Sequence, residues 1–242
     1  MYESLTCIAL RTTKYDDSHS IVTAWSDCHG RLSLRIPAGS GRGASRMRAL
    51  TMPLSVFAGE VDIRPGRSIH SIRDIRPVVV ASSTATDPSK IVVATFISEL
   101  LTAVLREDMP DPALSTFLIE AISALNDIDT PIGVANFPII FVWRLSHFLG
   151  IQPDSHSWQP GDYLDLQDGI FRHSRPTHPR HLTPEATSFI NILDRLDFVN
   201  CRRFPLPRTL RRQALDVAIQ YYNLHHTPTG ALHSLPIISS LF

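Results

Sequence analysis

The chain has 242 residues, with 23 Lys and Arg balancing 23 Asp and Glu, so its formal net charge is zero. Hydrophobic residues make up 43% and charged residues 19%, which describes a folded chain with an ample core and excludes a disordered one. Any preference for anionic partners must therefore come from local segregation of charge. Cys7, Cys28 and Cys201 are too few and too scattered for a disulfide framework, which points to a reducing compartment. Glu3 and the short apolar run Leu5–Leu10 do not make a signal peptide. The most apolar stretch, 132–149, is interrupted by Asn136, Pro138 and Arg144, so it reads as a core helix and not a span. The expectation is a soluble, cytoplasmic protein.

From the N-terminus to about Pro77 the pattern is β. Short apolar runs at 5–10, 20–26, 32–36, 52–57 with 61–63, and 69–75 alternate with turn formers at Asp16-Asp17, His29-Gly30, 39–43 and Pro65-Gly66. Five short strands in some seventy residues fit a small closed barrel better than an open sheet with exposed edges. Within this region, Leu32, Leu34 and Ile36 alternate with Ser33, Arg35 and Pro37, the period of a half-buried strand. The chain then passes into a Gly/Ser-rich segment read as a loop. Arg31, Arg35, Arg42, Arg46 and Arg48 fall in a window with no acid between Asp27 and Glu60. Guanidinium groups chelate phosphate oxygens and glycine allows close backbone approach, so the window is a candidate phosphate-tracking surface. On charge alone, a solvated loop that keeps the protein soluble explains it equally well.

After Pro77 the period becomes helical. Asp87-Pro88 and Asp111-Pro112 are each an N-cap followed by proline at the first helical position. The first leads Val93, Ile97, Leu100, Leu101 and Val104; the second leads Leu114, Phe117, Leu118, Ala121, Ile122 and Leu125. A third helix holds Phe137, Ile140, Phe141, Leu145 and Phe148 and closes at Gly150. Residues 151–182 are irregular, with 163–166 and 169–171 able to pair as a small hairpin. Thr183-Pro184 opens a fourth helix and Pro207 a fifth. The reading is α+β: a barrel domain over 1–78 and a helical domain over 79–242 with an irregular insert at 151–182.

A second acid-free group, Arg202, Arg203, Arg208, Arg211 and Arg212, lies between Asp197 and Asp216. Three- and four-residue spacing puts Arg208, Arg211 and Arg212 on one helix face. A solvated face explains this group as well as a second basic patch does. Tyr15, Trp25 and Phe57 lie in or beside the strands, where an aromatic is more often core than stacking platform. His173, His178 and His181 follow Asp162, Asp165 and Asp168, but no C-x-x-C or distant second pair completes a zinc pattern. Phosphate-loop, nucleophile-elbow and dinucleotide motifs are absent from the sequence.

The ordered set of motifs resembles the bacterial recombination-mediator family RecO. The resemblance runs through Leu10, Tyr15-Asp16-Asp17, 20–23, Gly30, the arginine segment and Asp62–Pro65. It continues through 96–101, Asn136-Phe137 to Arg144-Leu145, Phe148–Gly150, Pro153-Asp154 and 232–235. It implies an N-terminal OB-fold and a non-catalytic DNA-repair role without cofactor. It also implies binding of single- and double-stranded DNA, annealing of complementary strands, and association with RecR and with the C-terminal tail of single-strand binding protein. Through these the protein would help to load RecA. Many members carry four zinc-binding cysteines after the exit turn, whereas 163–171 here has none, so the chain is similar to the zinc-free variant.

On this reading Arg31, Arg35, Arg42, Arg46 and Arg48 contact DNA phosphates, with Arg11 and Lys14 on the neighbouring strand and turn, and the second arginine group is an additional patch. The alternative is an interaction module whose helical groove holds a partner peptide, Arg106, Arg144 or Arg203 meeting its carboxylates, with the barrel only structural. A metal-dependent hydrolase using His173, His178 and His181 is the remaining class.

Overall fold

A computed structural model describes residues 2–38, 42–105, 110–230 and 232–241. Strands β1 (Tyr2–Lys14), β2 (His19–Ser26), β3 (Gly30–Pro37), β4 (Val56–Asp62) and β5 (Ile69–Pro77) close into a barrel of order β1-β2-β3-β5-β4. β4 returns against β1, and only β3 and β5 run parallel. Alternate residues fill the interior: Leu5, Cys7 and Ala9 from β1, Val22 and Ala24 from β2, Leu34 and Ile36 from β3, Phe57 and Val61 from β4, Ile72 from β5. This two-residue period is the one the sequence displays. A bulge between Ala9 and Arg11 lets Leu10 stay buried while Arg11 turns to solvent. Gly59 is required by close approach, because a Cβ there would lie 2.8 Å from Ile72 Cδ1 and 3.0 Å from the Arg73 carbonyl.

The segment after β3 departs from expectation. Arg42–Leu50 forms a helix, α1, where the Gly/Ser content suggested a loop. Met47 packs against the barrel core. The Thr51 hydroxyl donates to the Met47 carbonyl at 2.9 Å, and the Thr51 carbonyl accepts from Thr12 Oγ1 at 2.9 Å. Tertiary anchoring of this kind outweighs the poor propensity of Gly43 and Ser45.

Chain contacts divide the protein into two compact units. The first comprises the barrel, α1, α2 (Ser82–Thr86), α3 (Pro88–Val104), α4 (Pro112–Asp127) and the returning stretch Leu232–Leu235. Asp87 caps α3 by accepting from Ser89 N at 2.8 Å and Lys90 N at 3.3 Å. Asp111 accepts from Leu114 N at 2.9 Å at the start of α4. These caps are each worth about 1 kcal/mol. The two helices cover one side of the barrel: Trp25 Nε1 donates to Ser115 Oγ at 2.9 Å, and Ser98 Oγ donates to the Leu10 carbonyl. Ser234 is held to α3 through its amide and hydroxyl, both donating to Glu99 Oε2.

The second unit begins at Ile128. Its central helix, α5 (Pro131–Phe148), is capped by Thr130, whose hydroxyl accepts from Gly133 N at 3.2 Å. The buried Asn136 that interrupts the apolar stretch donates to the Cys201 and Phe204 carbonyls at 3.0 and 2.7 Å. Beyond α5, β6 (Tyr163–Asp165) pairs with β7 (Ile170–Arg172) as a hairpin, and β8 (His181–Leu182) adds on the other side. Helices α6 (Pro184–Arg195), α7 (Arg208–His225) and α8 (Leu235–Leu241) complete the chain. The barrel-then-helices architecture is the one expected; α1, α2, α8 and β8 are additions to it. Among the described residues no helix is long and apolar enough to cross a membrane.

Candidate nucleic-acid interface

The outer face of β1, β2 and β3 has a covered end and an open end. Register places Ile8, Trp25 and Arg31 in one row and Thr13, Ile21 and Arg35 in another. In the first row Ile8 and Trp25 are each 2% exposed because α3 and α4 pack over them. Arg31 in this row is half-buried, and its guanidinium donates to the Thr102 carbonyl at 3.0 Å. The second row is open, with Thr13 and Arg35 exposed. Arg11, opposite Thr23, projects between the two rows.

Open residues continue into the β1–β2 turn. Asp16 organises this turn by accepting from Ser18 N at 2.6 Å and His19 N at 2.7 Å. The bond from Ser18 is the main reason its carboxyl titrates below its ordinary value; burial opposes it, and the His19 contacts add to the lowering. Ala38 N donates to the Ser18 carbonyl at 2.7 Å, which ties the turn to the end of β3 just before α1. Lys14 pairs with Asp17 at 3.0 Å in full exposure. Arg46 and Arg48 are exposed on α1. Arg42 opens that helix, and its side chain lies outside the described residues. Among the described residues Arg11, Arg35 and Arg46 have neither an ion pair nor a hydrogen-bonding partner. The first group thus holds two kinds of arginine: Arg31 serves the fold, whereas Arg35, Arg46 and Arg48 are exposed.

The second group lies in the other unit and is used differently. Arg211 donates to the Leu206 carbonyl and Arg208 to the Ser240 carbonyl. Burial and, secondarily, the charge of Arg208 lower the pKa of Arg211. Arg202 is half-buried, while Arg203 and Arg212 are exposed. Of the arginines assigned to a peptide groove, Arg144 donates through Nε and Nη2 to the Leu196 carbonyl at 3.1 and 2.7 Å. Arg106 lies outside the described residues.

The histidines are occupied by carboxylates and carbonyls. His173 contacts Asp162, His178 Nε2 lies 3.2 Å from Asp165, and His181 Nδ1 lies 2.6 Å from the His178 carbonyl. Among the described residues no group of three or more His, Cys, Asp or Glu is arranged to hold a metal ion.

Sequence reasoning missed basic residues beyond the first window. Arg64 and Arg67 flank the β4–β5 turn, and Arg73 and Arg76 lie exposed on β5. Arg64 pairs with Asp62 at 2.6 Å, and Arg73 sits 3.8 Å over the Tyr2 ring. Glu60, Asp62 and Asp74 broke the acid-free criterion that would have found them. The Pro65-Gly66 turn signal beside two arginines was the usable cue.

A closed five-strand barrel of this order, with a helix between its third and fourth strands, is an OB-like fold. That class takes oligonucleotides on its strand face and on its β1–β2 and β4–β5 loops. The particular family follows from comparison with known proteins. Residues 1–80 match the family described as "Recombination protein O N terminal" and residues 85–235 match "Recombination protein O C terminal". The chain belongs to the RecO family of DNA repair and recombination proteins. It is 30% identical over 242 residues to DNA repair protein RecO of Phocaeicola vulgatus, covering 100% of both chains. It is 33% identical over 240 residues to that of Porphyromonas gingivalis and 27% identical over 240 residues to that of Flavobacterium johnsoniae, covering 97% of each chain in both pairs.

Proposed function

We propose that the protein is a non-catalytic, cytoplasmic recombination mediator that binds single- and double-stranded DNA and anneals complementary strands. The main support is the set of exposed cations around the open end of the barrel: Arg11, Arg35 and Arg46 without a partner among the described residues, with Arg48 and Lys14 beside them. Phosphate neutralisation at such a surface releases counterions and gives a salt-dependent affinity. Two strands coated in this way no longer repel each other and can search for register, which accounts for annealing without bond chemistry. In this reading RecR, the C-terminal tail of single-strand binding protein and, through them, RecA are the protein partners that its family membership suggests. The test is fluorescence anisotropy with labelled single-stranded and duplex oligonucleotides across a salt series. A steep loss of affinity with salt is expected; no binding at low salt removes the proposal.

A second reading, a peptide-binding module, is favoured by one observation. An apolar groove of about 250 Å³ in the first unit is lined by Leu50, Met52, Val56, Pro77, Val79 and Ile91 among others, and Val80 beside them is 74% exposed. Here the occupant is the tail of single-strand binding protein. Capture of the tail peptide that Val80→Asp abolishes supports this reading, and capture unaffected by Val80→Asp removes it.

A further inference from the structure

The turn between β1 and β2 presents an aromatic ring that the fold does not use. Tyr15 is 61% exposed, whereas Trp25 and Phe57 are 2% and 0% exposed. Among the described residues its ring meets no other ring or guanidinium, and its hydroxyl has no hydrogen-bonding partner. Tyr2, the other exposed aromatic of the barrel, already carries Arg73 over its face.

The backbone beneath Tyr15 is firmly held. Tyr15 N and Asp16 N both donate to the His19 carbonyl at 3.1 Å, and the Asp16 carboxylate takes the amides of Ser18 and His19. The Ser18 carbonyl is in turn bonded by Ala38 N. A tyrosine has few side-chain torsions to lose, and a pinned turn has already lost its backbone freedom. Such a ring therefore binds at low entropic cost. It stands next to Lys14, at the end of the open row formed by Thr13, Ile21 and Arg35.

We propose that Tyr15 is a base-stacking residue that gives this surface its preference for unpaired over paired strands. The inference rests on the DNA-binding reading above and deepens it. Cations track the phosphates of either form. A flat ring on a rigid turn adds binding only where a base face is free, because duplex bases already stack on one another. Tyr15 thus separates two jobs at one end of the barrel: arginines hold nucleic acid, and the ring distinguishes single strands from duplex.

The experiment measures Kd for a single-stranded oligonucleotide and for the matching duplex at fixed salt, using the full chain, Tyr15→Ala and Tyr15→Phe. Stacking on an aromatic is worth about 1–3 kcal/mol per base, so Tyr15→Ala should weaken single-strand binding by roughly 5- to 150-fold. Duplex affinity and the salt slope of both forms should stay unchanged. Tyr15→Phe keeps the ring and should retain single-strand affinity, which guards against a mere folding effect. Equal losses for single strand and duplex, or no loss in Tyr15→Ala, overturn the inference while the DNA-binding reading stands. If the unaltered protein binds neither form, both fall together.

Discussion

The two arginine groups look alike in sequence and differ in what their guanidiniums meet. Both are acid-free windows rich in arginine. In the first, Arg35 and Arg46 end in solvent without a partner among the described residues. In the second, Arg208 and Arg211 end on backbone carbonyls of their own unit. An arginine that satisfies a carbonyl stabilises the fold and offers fewer donors to a ligand. Charge density along a sequence therefore does not separate the two groups; the fate of each guanidinium does. The lesson also applies within the first group, where Arg31 behaves like a member of the second.

The sharpest way to break this contrast is by salt dependence. The variant Arg35→Ala/Arg46→Ala/Arg48→Ala should bind DNA more weakly, with the slope of log affinity against log salt reduced by roughly two to three units. Each lost phosphate contact accounts for about 0.7–0.9 of a unit. Melting temperature should barely change, since these side chains are exposed. An unaltered slope, measured by anisotropy between low and moderate salt, would remove the first group from the interface.

A buried charge in the second unit should respond to pH instead. Asp165 has a side chain 2% exposed and accepts from Gln167 N at 3.0 Å, Asp168 N at 3.1 Å, Arg172 Nε at 3.1 Å and His178 Nε2 at 3.2 Å. Burial alone would raise its pKa, but the Asp168 amide, Arg172, the Gln167 amide and His178 together hold it below its ordinary value. A carboxyl depressed in the folded state stabilises fully above its unfolded pKa of about 4, and that stabilisation disappears as pH falls through the folded pKa. Asp165→Asn should therefore cost about 2 kcal/mol at neutral pH. The gap between it and the unaltered protein should narrow below about pH 4, read by urea unfolding at several pH values. A pH-independent gap would mean that shape and not charge matters there.

Much of this was legible in advance, for physical reasons. The barrel showed itself because inward residues alternate, and α3, α4 and α6 because Asp87-Pro88, Asp111-Pro112 and Thr183-Pro184 are local caps that act within a few residues. Helix α1 was hidden because what holds it is distant: Met47 on the barrel core, and Thr51 bonded to Thr12 from 39 residues away. The exposure of Tyr15 was equally invisible, since a strand-end aromatic reads as core until the covering helices are known to lie over Trp25. The cations Arg67 and Arg76 were missed because nearby acids masked them, although the structure leaves both exposed.

Removing one arginine from the second group tests stability more modestly. Arg211→Ala frees the Leu206 carbonyl and removes a half-buried cation, at a cost of about 1–2 kcal/mol. DNA affinity and its salt slope should remain those of the unaltered protein. A loss of slope without a loss of stability would reverse the assignment and make this group part of the DNA surface.

The smallest expected effect is the most discriminating, because it concerns the residue that belongs to one group by sequence and to the other by contact. Arg31 shares its window and its strand with Arg35, yet it sits in the covered row and donates to Thr102 near the C-terminus of α3. Carbonyls at a helix C-terminus carry partial negative charge, so this contact is favourable beyond a neutral hydrogen bond. Arg31→Ala should lower stability by about 1 kcal/mol and leave the DNA salt slope intact, whereas Arg35→Ala, four residues along the same strand, should do the reverse. If both variants reduce the slope equally, the covered end of the barrel opens to DNA and the distinction between the two rows fails. If both reduce only stability, the open row is structural and the interface lies on α1.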